Sequence, residues 1–365
     1  MKENGQKDTE RHAVAIVGGG PIGIEMAIAL ERAGIDYVLF EAKQIGQTIS
    51  TWPPNTHFFS TPEHVALAGI PVQNVDQRAI TGEQYLAYLR MLVEYFDLKI
   101  QNYEPVTDLV RKSDHFHLQS RRLDGREVSY QFDKVILATG GLSAPRILGV
   151  PGEDLPHVSH YFPGPHPYFR RRLLVVGGKN SALEAALRCW RAGAEVTISY
   201  RRPQFDFDVV KPHLGDDVAT RIEKGEIGFL PSTVVVEIAP GYVTLATCDE
   251  AFQVDGGSFR HETDFVLLAT GFVADMELFR KVGVTLQGER KVPLYDPQTM
   301  ETDVPDLFVA GTAAGGTQVK FEYFISTSHD HVARIMHALT GAVPERLGTV
   351  EGRNSAVSWE EVRAN

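Results

Sequence analysis

The sequence predicts an α/β protein of two Rossmann-like three-layer domains, the first of them discontinuous. Three observations carry that expectation. The chain has 365 residues, enough for two domains at roughly 150 residues each. It matches itself without a gap at an offset of 159 residues. Three later stretches, 132–141, 263–272 and 304–316, share one form: an apolar run ending in Thr or Ala and then Gly.

The repeat organises the chain. Residues 13–43 and 173–202 each read as an apolar strand, a glycine-rich turn, a helix with Ala/Leu/Ile spacing, an Ala-Gly stop and a second strand, which is a β-α-β unit. Val17, Gly18, Gly19, Glu25, Ala27, Arg32, Ala33 and Gly34 meet Val176, Gly177, Gly178, Glu184, Ala186, Arg191, Ala192 and Gly193. Two matched glycine turns in one chain are far more specific than a lone G-x-G-x-x-G.

The first turn fits that pattern through Gly18, Gly20 and Gly23, with Pro21 and Ile22 between them. The first glycine permits the tight turn, the second lets a pyrophosphate approach the backbone, and the third lets helix and strand pack closely. The start of the helix then offers N–H groups and a positive dipole end to the phosphates. An acid is expected about 20 positions on, and Glu41 closes YVLFE there. A carboxylate at that place accepts hydrogen bonds from an adenosine ribose and repels a 2′-phosphate, so the site suits FAD or NAD.

The second turn keeps Gly177 but puts Lys179 at the middle glycine, followed by Asn180 and Ser181, and Ala182 at the last. Tyr200 stands where Glu41 stood, with Arg201 and Arg202 directly after it. Losing the acid and gaining two guanidiniums is what a 2′-phosphate needs, so this site should prefer NADPH. Two sites of opposite charge logic suggest a relay in which NADPH delivers a hydride to a flavin.

The small-residue turns after the later strands place Thr139 and Gly140, Thr270 and Gly271, and Gly311 and Thr312 where backbone can meet a cofactor. Residues 317–340 read as a helix with Phe321, Phe324, Ile325, Val332, Ile335 and Leu339 near helical spacing. Its start is expected to point a positive dipole end at the flavin ring. The loop 50–64 is aromatic and proline-rich, and Trp52, His57, Phe58 and Phe59 are candidates either for a pocket lining or for a packed aromatic loop. The expected domains are 12–155 with 290–342 for FAD, 156–289 for NADPH, and a peripheral polar tail over 343–365.

Composition excludes several classes. Thirty-six Lys+Arg against 47 Asp+Glu give a net charge of −11, which disfavours nonspecific nucleic-acid binding. Cys189 and Cys248 are the two cysteines, so there is no CxxC, no zinc cluster and no disulfide scaffold. No apolar leader precedes the first strand and no apolar run reaches about 18 residues, so a cytoplasmic, membrane-free protein is expected. His329 and His331 fall on different sides of a helix and make a poor metal site. His57 and His160 could act as acids, though neither has a partner visible in the sequence. The catalytic residues stay unassigned.

The ordered set GGGPIG, Glu41, ATG, GGKNSA, Tyr-Arg-Arg, ATGF and VAGT resembles the two-dinucleotide-binding flavoproteins of the thioredoxin reductase superfamily. THFFSTPEH at 56–64, the stretch 159–187, VKPHLGDDVATRIEKGEI at 210–227, and the stretches 271–284 and 292–311 make it most similar to the bacillithiol disulfide reductase-like family. The resemblance spans about residues 12–342. It implies FAD, NADPH, a homodimer and a small-molecule electron acceptor such as a low-molecular-weight disulfide. It also sharpens three departures. The chain lacks the CxxC of thioredoxin reductases. It has Ile22 where the bacillithiol-type proteins commonly carry Cys, and Gly311-Thr312 where many relatives have Gly-Asp. A flavin-dependent monooxygenase, a ferredoxin-NADP reductase-like enzyme and an NADPH-sensing flavoprotein are the alternatives.

Overall fold

The computed structural model of the chain describes residues 11–75, 78–318 and 322–348. The described residues form two compact units. The first lies within Met1–Ser50, Asn55–Ala144 and Val273–Asn365, the second within Thr51–Pro54 and Pro145–Phe272. The first is therefore discontinuous, as the strand order of the sequence implies.

The first unit opens with β1 (Arg11–Val17), α1 (Pro21–Arg32), β2 (Tyr37–Glu41) and the short α2 (Gln47–Ser50), followed by α3 (Gly82–Phe96) and β3 (Ile100–Asn102). A meander of β4 (Val106–Arg111), β5 (Phe116–Arg121) and β6 (Glu127–Leu137) completes its first pass. Among the described residues its sheet has seven strands in the order β3-β2-β1-β6-β5-β4, the seventh pairing with β6. β6 is long because it serves three partners. Its first half pairs antiparallel with β5, its second half pairs parallel with β1, and Val135–Leu137 also pairs parallel with a late strand. Apolar residues alternate less than usual in β2, where all five residues are buried, because a parallel strand is covered on both faces.

The second unit contains β7 (Val158–Ser159), β8 (Arg172–Val176), α4 (Asn180–Arg191), β9 (Glu195–Tyr200), α5 (Pro212–Glu223) and β10 (Gly228–Pro231). An antiparallel sheet of β11 (Thr233–Ala239), β12 (Tyr242–Cys248) and β13 (Val254–Glu262) follows, and β14 (Phe265–Leu268) returns to the parallel sheet. That sheet runs β10-β9-β8-β14-β7 with every pairing parallel. The chain then re-enters the first unit with α6 (Glu277–Val282), β15 (Leu307–Val309) and α7 (Ile325–Thr340).

The repeat read from the sequence holds down to its caps. α1 and α4 are both twelve residues long and end on Ala33 and Ala192. Gly34 and Gly193 follow with φ of +65° and +90°, a left-handed conformation that glycine adopts without cost.

Two expectations need correction, and the junctions differ. The sequence suggested a helix from 317, but α7 begins at Ile325. Ahead of it, Gly311–Gly315 forms one 3-10 turn, and Gln318 Oε1 accepts the N–H groups of Glu322 and Tyr323. Just before α7, the Thr327 hydroxyl accepts the Phe324 N–H at 2.9 Å. Phe321 lies outside the described residues. The tail was expected to be peripheral, but over 346–348 it is docked: Gly69 N–H donates to Gly348 O (2.9 Å) and Arg32 to Arg346 O (3.1 Å). Residues 349–365 lie outside the described residues. The unit junctions fall at 144/145 and 272/273, where the sequence suggested 155/156 and 289/290. Ile238 N–H donates to Pro151 O and fastens the 146–153 stretch to the second unit, while Lys281 Nζ on α6 donates to Thr107 O in the first.

Candidate functional site

The first glycine turn joins β1 to α1. A Cβ on Gly18 (φ +115°) would lie 2.4 Å from Ala138 O, and a Cβ on Gly23 would lie 1.9 Å from Gly18 O. Both glycines are demanded by the protein itself. Gly20 differs, because a Cβ there would meet no atom within 4 Å. Nothing among the described residues requires that glycine, whereas a ligand approaching the backbone would. Gly20 is also the N-cap of α1 and gives no side-chain cap, and Pro21 follows it in the first turn.

Glu41 ends β2 beside this turn and is 8% exposed. Its Oε2 accepts the Gly19 N–H at 2.7 Å and its Oε1 the Lys43 N–H at 2.8 Å. The carboxylate is thereby fixed, and each oxygen keeps acceptor capacity for a ribose hydroxyl. Gly19, matched to Gly178 in the repeat but not assigned to the site, would carry a Cβ about 3.0–3.1 Å from the Glu41 side chain. The GGG run was the signal.

Thr139 and Gly140 follow β6. Thr139 Oγ1 is buried and has no hydrogen-bond partner among the described residues. Gly141 N–H donates to Thr312 Oγ1 at 2.9 Å, and a Cβ on Gly311 would lie 3.4 Å from Ile22 Cβ. The structure therefore gathers Gly18, Ile22, Thr139, Gly141, Gly311 and Thr312 at one edge of the sheet. His331 supports this edge and was missed as a strut. Its Nδ1 accepts the Gly311 N–H at 3.1 Å. Burial, with Arg334 nearby, pushes the imidazole down to about 4, so the ring is neutral and its lone pair is available. No sequence signal marked this, because HDH alone does not say which histidine faces inward. His329 pairs instead with the fully buried Glu25, Nδ1 to Oε2 at 2.5 Å. Of the aromatic loop, Phe58 packs on Tyr85 of α3 at 4.8 Å between centroids and Phe59 is exposed, while 51–54, with Trp52, goes with the second unit.

The second turn joins β8 to α4. A Cβ on Gly177 (φ +146°) would lie 2.4 Å from Ala269 O, and one on Gly178 would lie 2.6 Å from the Tyr200 ring. Lys179 is the N-cap of α4, and Ser181 is exposed in the first helical turn. Asn180 holds the neighbouring loop, with Oδ1 accepting the Lys211 N–H at 2.8 Å and Nδ2 donating to Val209 O at 3.2 Å. Arg201 and Arg202 are exposed, and neither pairs with a carboxylate among the described residues. Their guanidiniums sit 4.1 and 5.8 Å from the Phe252 ring centroid. Burial first, then Arg201, Arg202 and Arg146, lower the Lys179 ammonium, with Asp206 opposing. Cations that disfavour one another in this way are relieved by an anion of phosphate type. Arg146 was not anticipated. Its backbone clamps the Thr270-Gly271 turn, its O accepting from Thr270 Oγ1 at 3.0 Å and its N–H donating to Gly271 O at 2.9 Å.

Neither thiol is activated, although Cys248 Sγ lies 3.4 Å from the backbone O of Arg201. Cys189 is buried in α4 and burial pushes its thiol up to about 12, and burial also raises Cys248. Both stay protonated at neutral pH and are poor nucleophiles. Among the described residues no group of His, Cys, Asp or Glu is arranged to hold a metal ion, and no helix is long and apolar enough to cross a membrane.

A family model described as pyridine nucleotide-disulphide oxidoreductase matches residues 15–311, a span that takes in both glycine turns. The chain belongs to that family. It is 30% identical over 320 residues to the bacilliredoxin reductase Bdr of Bacillus subtilis, covering 88% of this chain and 95% of that one. Among solved structures, it resembles the bacillithiol disulfide reductase of Bacillus cereus with a TM-score of 0.84 and 31% identity, over 90% of this chain and 99% of the other. The Staphylococcus aureus bacillithiol disulfide reductase gives a TM-score of 0.82 and 28% identity, over 91% and 99%. As a family member the protein is an oxidoreductase that uses FAD and NADPH. The residues present fit both groups, through the orphaned Thr139 Oγ1 and open Gly20 in the first unit and the cation cluster in the second.

Proposed function

We propose that the first unit holds FAD, that the second holds NADPH, and that the electron pair leaves to a low-molecular-weight disulfide without passing through a protein thiol. The observation that carries this reading is the opposite electrostatics of two otherwise matched turns: a fixed carboxylate beside one and a cation cluster beside the other. Bound FAD would take the hydride from NADPH and hand the electron pair to the disulfide. Overall, NADPH, a proton and RSSR give NADP⁺ and two RSH.

In this reading Gly20, Pro21, Ile22 and the α1 terminus face the FAD pyrophosphate, and Gly18 and Gly23 keep the turn tight. Glu41 accepts from the ribose, and Thr139, Gly140, Gly311 and Thr312 contact the flavin half. In the second unit Gly177, Lys179, Asn180 and Ser181 form the pyrophosphate turn, Arg201 and Arg202 grip the 2′-phosphate, and Thr270 and Gly271 meet the nicotinamide half. Ile22 keeps the place of the family's commonly found Cys apolar, and Cys189 and Cys248 are buried and protonated. The substrate class rests on the relatives named bacillithiol disulfide reductase. The working form is taken to be a cytoplasmic homodimer, by analogy with the thioredoxin reductase class.

The experiment is anaerobic reduction with NADPH, followed by mixing with bacillithiol disulfide, glutathione disulfide, cystine, a quinone or ferredoxin while the flavin absorbance is followed. The expected outcome is rapid reoxidation by one of the disulfides. Reoxidation by the quinone or ferredoxin alone would replace the acceptor, and protein that takes up no FAD would end the reading.

A further inference from the structure

Beside the parallel sheet of the second unit stands a histidine–carboxylate pair, His160 and Glu153, that neither glycine turn accounts for. In its register Ser159 of β7 faces Leu267 of β14, and Leu267 faces Val175 of β8. His160 is therefore level with Leu268 and Val176, one position before Gly177 begins the turn. It stands at the carboxyl edge of the sheet, where open α/β sheets bind their ligands.

The lateral order along that edge has a direction. Arg201 and Arg202 follow β9, the glycine turn follows β8, the Thr270-Gly271 turn follows β14, and His160 follows β7. A dinucleotide with its 2′-phosphate on the arginines and its pyrophosphate at the turn extends its nicotinamide half toward β14 and β7. The chain is folded back there: Tyr161 N–H donates to Ser159 Oγ at 3.1 Å, and the Tyr161 ring lies 5.6 Å from that of Phe272, next to Gly271.

His160 is held for a purpose its protein neighbours do not supply. Glu153 is 7% exposed, and its Oε1 and Oε2 accept the N–H groups of Leu148 (2.8 Å) and Gly149 (2.7 Å). The same Oε1 lies 3.4 Å from His160 Nε2. A carboxylate on Nε2 selects the tautomer with the proton there and leaves Nδ1 as an acceptor. Nδ1 is buried and has no partner among the described residues, although the His160 side chain is 16% exposed. A buried acceptor left unpaired costs free energy that a ligand donor would recover.

The geometry points to His160, oriented by Glu153, as the residue that accepts a hydrogen bond from the carboxamide N–H of the nicotinamide. This deepens the proposed function, since it rests on the second unit being the NADPH unit. His160 is then a positioning residue that fixes the ring face, and it distinguishes a carboxamide from any group without an N–H.

The test is calorimetric binding to the FAD-loaded protein, with NADP⁺, its 3-acetylpyridine analogue, which lacks the carboxamide N–H, and adenosine 2′,5′-bisphosphate, which lacks the nicotinamide. Wild-type protein is expected to prefer NADP⁺ over the analogue by about tenfold, the worth of one hydrogen bond. His160→Phe fills the same space and should erase that preference by weakening NADP⁺ alone, while the bisphosphate binds as before. His160→Gln, which keeps an acceptor, should restore part of it. An unchanged preference in His160→Phe, with the bisphosphate still bound, overturns this inference and leaves the NADPH unit intact. Failure of wild-type protein to bind the bisphosphate overturns both.

Discussion

Single residues in the two turns make opposite demands that separate fold from function. Gly23 packs against Gly18 O, so Gly23→Ala should lower the melting temperature whether or not FAD is present. Gly20 faces open space, so Gly20→Val should leave the FAD-free protein folded and cut FAD affinity tenfold or more, read by flavin retention on desalting. Arg201→Ala should raise the Kd for NADPH about tenfold or more while leaving NADH nearly unchanged, because only the former carries the 2′-phosphate. An equal effect on both coenzymes would remove the case for NADPH. His331 supplies a pH dependence. Its folded-state value, near 4, lies below the usual 6.5, so the unfolded chain binds more protons between those values. Its contribution is fully present above about 6.5 and is lost as pH falls toward 4, by about 3 kcal/mol at most. His331→Phe should flatten that part of the stability profile, measured by denaturant unfolding. The glycines and Glu41 were legible in the sequence because the turn chemistry is local. His331 was not, because its partner Gly311 is twenty positions away with a loop between.

At the scale of elements, the matched helices α1 and α4 show how one pattern acquires two roles. Glu25 and Glu184 align in the repeat, yet their surroundings differ completely. Glu25 is fully buried, and its Oε1 accepts from Ala68 N–H (2.7 Å) and Gly348 N–H (2.6 Å) while its Oε2 holds His329. Glu184 is 29% exposed and makes a 3.5 Å pair with Arg188 one turn away. Glu25→Ala should therefore cost about 3 kcal/mol or more, since it strands two buried N–H groups and a histidine. Glu184→Ala should cost less than about 1 kcal/mol. Comparable losses in thermal unfolding would contradict this picture of the C-terminal residues 346–348 as a strap on α1. The repeat predicted both helices and their Ala-Gly stops. It could not show the strap, because Gly348 is 323 positions from Glu25. The start of α7 was misplaced for a related reason: Phe321 and Phe324 extend the apolar spacing backward, but the Gln318 side chain accepts the Glu322 and Tyr323 N–H groups, and the helix starts only at Ile325.

For the whole molecule, the fold class and the two-unit organisation followed from the internal repeat and the three strand-to-turn stretches. The junctions differ from those expected because tertiary contacts decide them: Pro151 and Glu153 fasten one linker to the second unit, and Lys281 fastens the other to the first. The cation cluster was half legible, as Lys179, Arg201 and Arg202 stand beside recognisable motifs while Arg146 does not. The same scale holds the central claim, that an enzyme of the pyridine nucleotide-disulphide oxidoreductase family works with no thiol placed to relay electrons. Its most direct test uses a Cys189→Ser/Cys248→Ser double variant loaded with FAD. The variant is reduced anaerobically with NADPH and mixed with the disulfides named above while flavin reoxidation is recorded by stopped flow. The account predicts reoxidation by the disulfide that serves the wild-type protein, at a rate within about twofold of it. A variant that takes up FAD and is reduced by NADPH normally, yet is no longer reoxidised by that disulfide, would contradict it.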